Sequence, residues 1–218
     1  MRHIDEILAI STERKGGLDV VFANYLQPKT STEIAKIPDD RWLAEMTRAI
    51  FQAGFNWKTV DRMWPGFEDA FMQFDPGWCR HIADARFDQL VTNPAIVRHG
   101  PKIHSVAENA GFVSAKTGFG NWVAGFGPER FGELLLCLKA DGSRLGGTTG
   151  QYFLRSMHVD GWILSRDVAN RLVIEGVIDK VTASKKCYEA IQSAFDTWRA
   201  QSGFSLKKVS RVLATSVG

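Results

Sequence analysis

Of the 218 residues only three are cysteine, three tyrosine and seven proline. Cys79, Cys137 and Cys187 are odd in number and far apart, which argues against a disulfide framework and supplies no Cys-x-x-Cys zinc pair. They read as buried or half-buried thiols. No window approaches the roughly 18 unbroken apolar residues of a membrane span. Met1-Arg2-His3-Ile4-Asp5-Glu6 lacks the apolar core of a signal peptide. The expected setting is the cytoplasm, with no membrane partner. There is also no alternating strand pattern longer than a few residues, no internal repeat and no low-complexity run, so the predicted class is all-α.

What the chain does have is apolar and aromatic mass. Hydrophobic residues make up 44%, with seven Trp and fourteen Phe, enough for a real core. A net charge of +3 permits a polyanionic partner without demanding one. Two basic stretches stand out, Arg98-His99-Gly100-Pro101-Lys102 and the tail bearing Lys207, Lys208 and Arg211. Either suits phosphate, although a solvated surface is the default for such charges.

Helical periodicity predicts a helix from about Ile4 to Ile10. A strongly amphipathic helix follows Pro38-Asp39-Asp40, with Trp42, Leu43, Met46, Ala49, Ile50 and Ala53 on its apolar face and Gly54 at its end. Next come a helix near Lys58–Trp64, a break at Pro65-Gly66, the helix Phe67–Phe74, and a helix opened by Asp75-Pro76 that holds Trp78 and Ile82. The segment Phe87–Val91, a break at Asn93-Pro94 and a longer helix Lys102–Ala115 complete the first half. The Gly-rich stretch Gly118 to Trp122 reads as a hinge before a helix at Glu129–Lys139. Ala183–Gln201 and Leu206–Leu213 are the last helices, and Tyr188, Ile191, Phe195 and Trp198 form a core stripe on the first of them.

The densest chemistry lies at Leu145-Gly146-Gly147-Thr148-Thr149-Gly150, a glycine-rich turn opening an apolar helix. Such a turn lets the backbone approach a phosphate closely, and the first helical N–H groups at the positive end of the dipole suit that anion. Asp167 follows twenty residues after Gly147, just before another helix. Taken singly, each feature is more often ordinary, a turn with a Thr cap and an Asp N-cap.

These residues are similar to the helix-hairpin-helix DNA glycosylases, whose catalytic Asp lies at the same distance after the hairpin. A second motif sharpens the resemblance. Phe51-Gln52-Ala53-Gly54-Phe55-Asn56-Trp57 resembles the Gln-Ala-Gly-Leu-Ser-Trp motif of the DNA-3-methyladenine glycosylase I family. Phe67-Glu68-Asp69-Ala70-Phe71 with Phe74-Asp75-Pro76, then Ile96-Val97-Arg98-His99 with Lys102-Ile103 and Asn109-Ala110, follow in the family's order. The resemblance covers roughly residues 40 to 168. It implies an all-α helix-hairpin-helix glycosylase fold of two helical lobes around a cleft, formed by one domain over 1–218. Within it the hairpin unit spans about 131–157, and a helical extension spans about 173–218.

It also implies an enzyme of base-excision repair that hydrolyses the bond between an alkylated purine, such as 3-methyladenine, and its sugar in double-stranded DNA. Base flipping costs a few kcal/mol and is offset by stacking on aromatics. Trp57 is the first choice for that wall, with Phe51, Trp122 and Tyr152 behind it. Gly147, Thr148, Thr149, Gly150, Arg98 and Lys102 are the expected DNA-backbone contacts, and Asp167 the catalytic carboxylate, stabilising charge on the sugar or orienting water. Thr149 stands where bifunctional relatives carry a Schiff-base lysine, so lyase activity is not expected. The family relation suggests a monomer.

The chain departs from the family in three places. Ala49 stands where the family has a base-binding glutamate. The segment Tyr-His-Asp-x-Glu-Trp-Gly has no counterpart in residues 1–40, where Tyr25 or Trp42 are the available substitutes. The zinc ligands also fail, with no Cys near the N-terminus and Val168 at the position of a His, so no metal and no other cofactor is expected. The wedge that fills the flipped base's place is open among Gln52, Asn56 and Lys58. The alternatives are a relative that binds damaged DNA without catalysis and a helical protein-binding module.

Overall fold

Why the chain is helical throughout is clearest in its caps. In the computed structural model, which describes residues 1–82 and 85–217, the described residues form fourteen α-helices and no strand. They are α1 (Ile4–Lys15), α2 (Leu18–Val21), α3 (Ser31–Ala35), α4 (Asp39–Gln52), α5 (Trp57–Ala70), α6 (Pro76–Cys79) and α7 (Ala85–Thr92). The second half holds α8 (Gly100–Ser114), α9 (Phe119–Ala124), α10 (Phe131–Asp141), α11 (Thr148–Ser156), α12 (Arg166–Ile174), α13 (Lys185–Ser202) and α14 (Leu206–Thr215). His3 with Glu6 and Thr30 with Glu33 close reciprocal capping boxes on α1 and α3. Asn56, Asp75, Ser165, Ser184 and Ser205 cap α5, α6, α12, α13 and α14 by accepting first-turn N–H bonds.

Two apolar cores form, and α4 serves both. Trp42, Met46, Ala49 and Ile50 join a large core with residues of α1 and α9–α14. Leu43, Ala44 and Phe51 join a smaller one with α5–α7. Helix α8 is divided in the same way, with Ile103, Val106 and Ala110 in the small core and Phe112 and Val113 in the large one. The two helical lobes therefore share a pair of packed helices.

Two predicted breaks and two predicted helix ends resolve differently. Pro65-Gly66 does not interrupt α5, which runs through it. The proline removes one backbone donor, but tertiary packing holds the helix. A side chain at Gly66 would meet the Ala95 carbonyl oxygen at 2.3 Å, so glycine is required there for close approach. The predicted helix through Phe74 instead ends at Ala70 and continues as a 3₁₀ turn, and Ile82 lies beyond the short α6. The Gly118–Trp122 stretch is α9 rather than a hinge. Gly120 lies against the carbonyls of Ile34, Ala35 and Ile37, and Asp39 accepts the Phe119 N–H at 2.8 Å, which anchors α9 to α3 and α4.

The stripe Tyr188, Ile191, Phe195 and Trp198 is buried as its periodicity predicts. A polar clasp accompanies it that periodicity does not reveal. The Trp198 indole N–H donates to the Arg2 carbonyl at 3.1 Å, and the Gln201 side chain accepts from the Ile4 N–H at 2.9 Å. Glu175 takes two bonds from Arg2, and Arg171 spans Glu175 and Ser216. The N- and C-terminal segments are thus tied together around α12. No described helix is long and apolar enough to cross a membrane.

Candidate functional site

The loop between α4 and α5 is built by the Gln52–Trp57 motif. Gly54 takes a positive φ of 76°, and a Cβ there would meet nothing within 4 Å, so backbone conformation explains the glycine. Asn56 then caps α5 and leaves Trp57 as its first residue, half in solvent at 50% exposure. Tyr152, in the second turn of α11, is 38% exposed, and its ring meets the Trp57 ring edge-on at 5.4 Å. Of the four aromatics expected in a base pocket, these two come together.

The other two do not join them. Phe51 is wholly buried and packs edge-on against Phe67 at 4.8 Å, because it lies on the α4 face that fills the small core. Trp122 belongs to a cluster with Phe112, Phe119 and Phe126, capped by the Lys116 ammonium 4.9 Å from its ring. Lys102 is corrected likewise. Its ammonium is turned inward, donating to the carbonyls of Ala53 at 2.6 Å and Phe51 at 3.3 Å, so it satisfies the C-terminus of α4 and cannot serve as a free phosphate contact. It also sits 4.5 Å from the Phe55 ring, and burial, with Arg144 nearby, lowers its pKa. Phe55 itself is 41% exposed beside His99, an exposed loop aromatic that the motif reading passed over.

Helices α10 and α11 and the turn between them form the hairpin. Asn109 on α8 clamps it in both directions, accepting from the Ser143 N–H at 2.8 Å and donating to the Ser143 carbonyl at 3.0 Å. Arg144 donates to the Pro101 carbonyl, which sets the Arg98–Lys102 turn beside the hairpin. Gly147 precedes α11 with φ +61° and is exposed. No side chain caps α11, so the first-turn N–H groups of Thr148 and Thr149 remain available. Gly150 has a different role from the one expected. It is buried, and a Cβ would meet the Leu145 carbonyl at 2.3 Å, so it closes the hairpin by packing. Arg98 is exposed.

Asp167 occupies the first turn of α12 and is half-buried. It is not the cap, since Ser165 accepts the Val168 N–H. Gln151, buried beside Tyr152, accepts the Leu164 N–H at 2.6 Å and so ties the approach to Asp167 onto α11. Nothing in the sequence singled out Gln151. Of the wedge candidates, Gln52 donates to Asp61 and Asn56 is committed to capping, while Lys58 is exposed. In the basic tail, Arg211 donates to the Val21 carbonyl and Lys208 covers the Phe204 ring at 4.0 Å, so both serve packing.

The residues do not fit the family's zinc. Val168 is a buried aliphatic side chain, and the described residues bring no three His, Cys, Asp or Glu side chains together as a ligand set. Burial pushes the Cys79 thiol up to about 12, with the Asp75 charge adding to it, and Cys79 donates to the Phe71 carbonyl as a core group. A separate groove of about 970 Å³ lies between α10 and α13, lined among others by Glu133, Cys137, Tyr188 and Asp196. It includes none of the predicted site residues.

With this geometry in view, the fold is similar to that of helical DNA glycosylases of known structure. A crystal structure of a Tyr-to-Phe variant of 3-methyladenine DNA glycosylase I in complex with 3-methyladenine superposes with a TM-score of 0.52 at 21% identity, covering 66% of this chain and 88% of that one. The 3-methyladenine DNA glycosylase I of Staphylococcus aureus gives 0.50 at 20% identity, covering 69% and 94%. Residues 35–128 match the family model for methyladenine glycosylase, and over that segment the chain is similar to this family. A DNA-3-methyladenine glycosylase of Haemophilus influenzae is 32% identical over 59 residues, which are 27% of this chain and 32% of that protein. The chain thus spans about a third of the length of the curated relative it matches.

Proposed function

We propose that this chain is a monofunctional DNA glycosylase that releases alkylated purines of the 3-methyladenine type from double-stranded DNA. The observation that carries the reading is the exposed Trp57–Tyr152 pair on the α11 side of the hairpin. A flipped base needs an aromatic face, a held backbone and a carboxylate near the sugar. Trp57 and Tyr152 offer the face. Gly147, Thr148 and Thr149 at the uncapped start of α11, with Arg98 beside the hairpin, offer the backbone contacts. Phe55, exposed on the same loop as Trp57, is the apolar group suited to fill the vacated stack.

In the reaction the bond between the sugar C1′ and the base nitrogen breaks, and a water oxygen bonds to C1′. An N-alkylated purine is cationic and leaves as a neutral base without strong protonation. The sugar meanwhile gains positive charge, which the Asp167 carboxylate stabilises, and Asp167 or solvent takes the water's proton. Thr149 offers no amine for a Schiff base, so the product is an abasic site with an intact strand.

The test is base release from methylated duplex DNA by the wild-type protein and Asp167→Asn, with the freed bases identified by chromatography. Release of 3-methyladenine that collapses in the variant supports the reading. Salt-dependent DNA binding with no release from any alkylated substrate favours the second reading, a noncatalytic binder of damaged DNA, which the alanine at position 49 makes worth separating.

A further inference from the structure

Ala49 is buried in the large core and offers no polar group on α4, yet a carboxylate stands one helical turn away. Glu45 and Ala49 are spaced i, i+4 on α4 and share a face. The Glu45 side chain is largely buried, at 18% exposure, and its nearest charged partner is Arg48, with Nε 3.7 Å from the carboxylate. That nitrogen has no hydrogen-bond partner, and the guanidinium lies 4.2 Å over the Trp64 ring. So Arg48 neutralises Glu45 only in part.

The neighbours of this carboxylate on α11 and α5 each lie one helical turn from a member of the aromatic pair. From α11, the Ser156 hydroxyl lies against Glu45, and Tyr152 is the residue one turn before Ser156 on the same face. From α5, Asp61 is the facing charge, held by Gln52 at 3.0 Å, and Trp57 is one turn before it. Two independent helices therefore put a residue beside Glu45 and, one turn further, an aromatic of the pair. Burial raises the Glu45 pKa, Arg48 and Ser156 pull it down, and the Asp61 charge adds to the rise.

We propose that Glu45 is the base-recognition residue of this site, its carboxylate accepting hydrogen bonds from the exocyclic amine of an alkylated aminopurine stacked on Trp57 and Tyr152. The inference rests on the glycosylase reading and names its substrate class. A partly neutralised carboxylate in an apolar wall rewards a donor and a positive ring, and it penalises a carbonyl oxygen at the same place. The chain would thus favour 6-amino purines over 6-oxo purines, from a position one turn removed from Ala49.

The experiment measures binding of free 3-methyladenine and of hypoxanthine, which bears a carbonyl in place of the amine, to wild-type, Glu45→Gln and Glu45→Asp proteins, together with their melting temperatures. Loss of the charged acceptor predicts 3-methyladenine affinity about 10- to 100-fold weaker in Glu45→Gln. Hypoxanthine binding should be unchanged or improved, since an amide can donate to its carbonyl, and the melting temperature should not fall. Glu45→Asp should lie between. Equal affinity for 3-methyladenine in all three proteins, or the same loss for both bases, overturns the inference while leaving the glycosylase reading intact. If Glu45→Gln fails to fold, wild-type affinity in Glu45→Asp decides against it. Wild-type protein that binds neither base and releases none from methylated DNA overturns the glycosylase reading, and this inference with it.

Discussion

The Trp57 indole meets the Tyr152 ring edge-on, with centroids 5.4 Å apart and planes at 85°, and both side chains keep a substantial face in solvent. An edge-to-face pair leaves one ring face free for a third aromatic, which is what a flipped base brings. Because neither residue fills the core, Trp57→Ala should lower base affinity by about 1–3 kcal/mol, the value of one stacking contact, with little change in melting temperature. Titration of the free base into wild-type and variant protein reads the first quantity, and thermal melts read the second.

Asp167→Asn keeps shape and removes charge. Ser165, not Asp167, caps α12, so the variant should fold normally and bind DNA as tightly as wild type while its base release falls steeply. Ser165→Ala is the informative contrast. It should destabilise the protein by about 1 kcal/mol through the lost cap and reduce release only as far as α12 loosens. An Asp167→Asn protein with undiminished single-turnover release would remove the carboxylate from the mechanism.

The hairpin depends on one buried amide. Asn109→Ala deletes both bonds to Ser143 and leaves its half-buried N–H and carbonyl to solvent, at a cost of about 1 kcal/mol each. DNA affinity should weaken along with stability. Asn109→Asp retains the acceptor for the Ser143 N–H and should recover part of both, as read by chemical denaturation and fluorescence anisotropy on duplex DNA.

Gly150→Ala places a methyl group on the Leu145 carbonyl, at a separation of 2.3 Å, and must open the hairpin. A loss of both stability and DNA affinity is expected. Gly147→Ala meets no neighbour but strains a backbone at φ +61°, ψ −139°, a conformation that favours glycine, so its effect on stability should be about 1–3 kcal/mol. Denaturation midpoints of the two variants separate close packing from backbone conformation.

Glu175 makes the fold sensitive to acid. Burial pushes its carboxyl up, but donation from the Arg2 backbone and guanidinium and from Arg171 outweighs this and holds the pKa below the ordinary 4.5. A carboxylate whose pKa is lowered on folding stabilises the native state above its unfolded value and loses that contribution as pH falls through the native value. Wild-type stability should therefore decline below about pH 4.5. Glu175→Gln should be less stable at neutral pH, by up to about 3–5 kcal/mol for a broken buried pair, with the difference narrowing in acid. Melting temperatures across pH 3–7, a window set by that linkage, test both statements.

Much of the helical plan was legible because its signals are local. The α4, α8 and α13 runs are periodic patterns that fold as helices, the last two capped by His99 and Ser184, whereas no side chain caps α4 and Asp39 accepts from the Phe119 N–H instead. So is the site's first residue, because Gly54 and Asn56 end one helix and begin the next, which leaves Trp57 at the junction whatever packs around it. Motif membership says nothing about which way a side chain turns, however. Phe51 and Trp57 belong to the same motif, yet α4 carries the first into a core and the loop carries the second out. Lys102 resembled a phosphate ligand until the carbonyls of Ala53 and Phe51, some fifty residues earlier, were found to claim it.

By itself, then, the order of residues determined where helices start, stop and turn, because capping, glycine conformation and apolar period act over a few neighbours. The tertiary structure alone decided that α5 survives Pro65, that Gly150 serves packing, that Arg2 and Glu175 close the molecule across 173 positions, and that Glu45 faces Ser156 of α11 and Asp61 of α5. Those outcomes depend on which surfaces meet in space. Burial and pairing energies between distant groups appear only when the helices that carry them are packed.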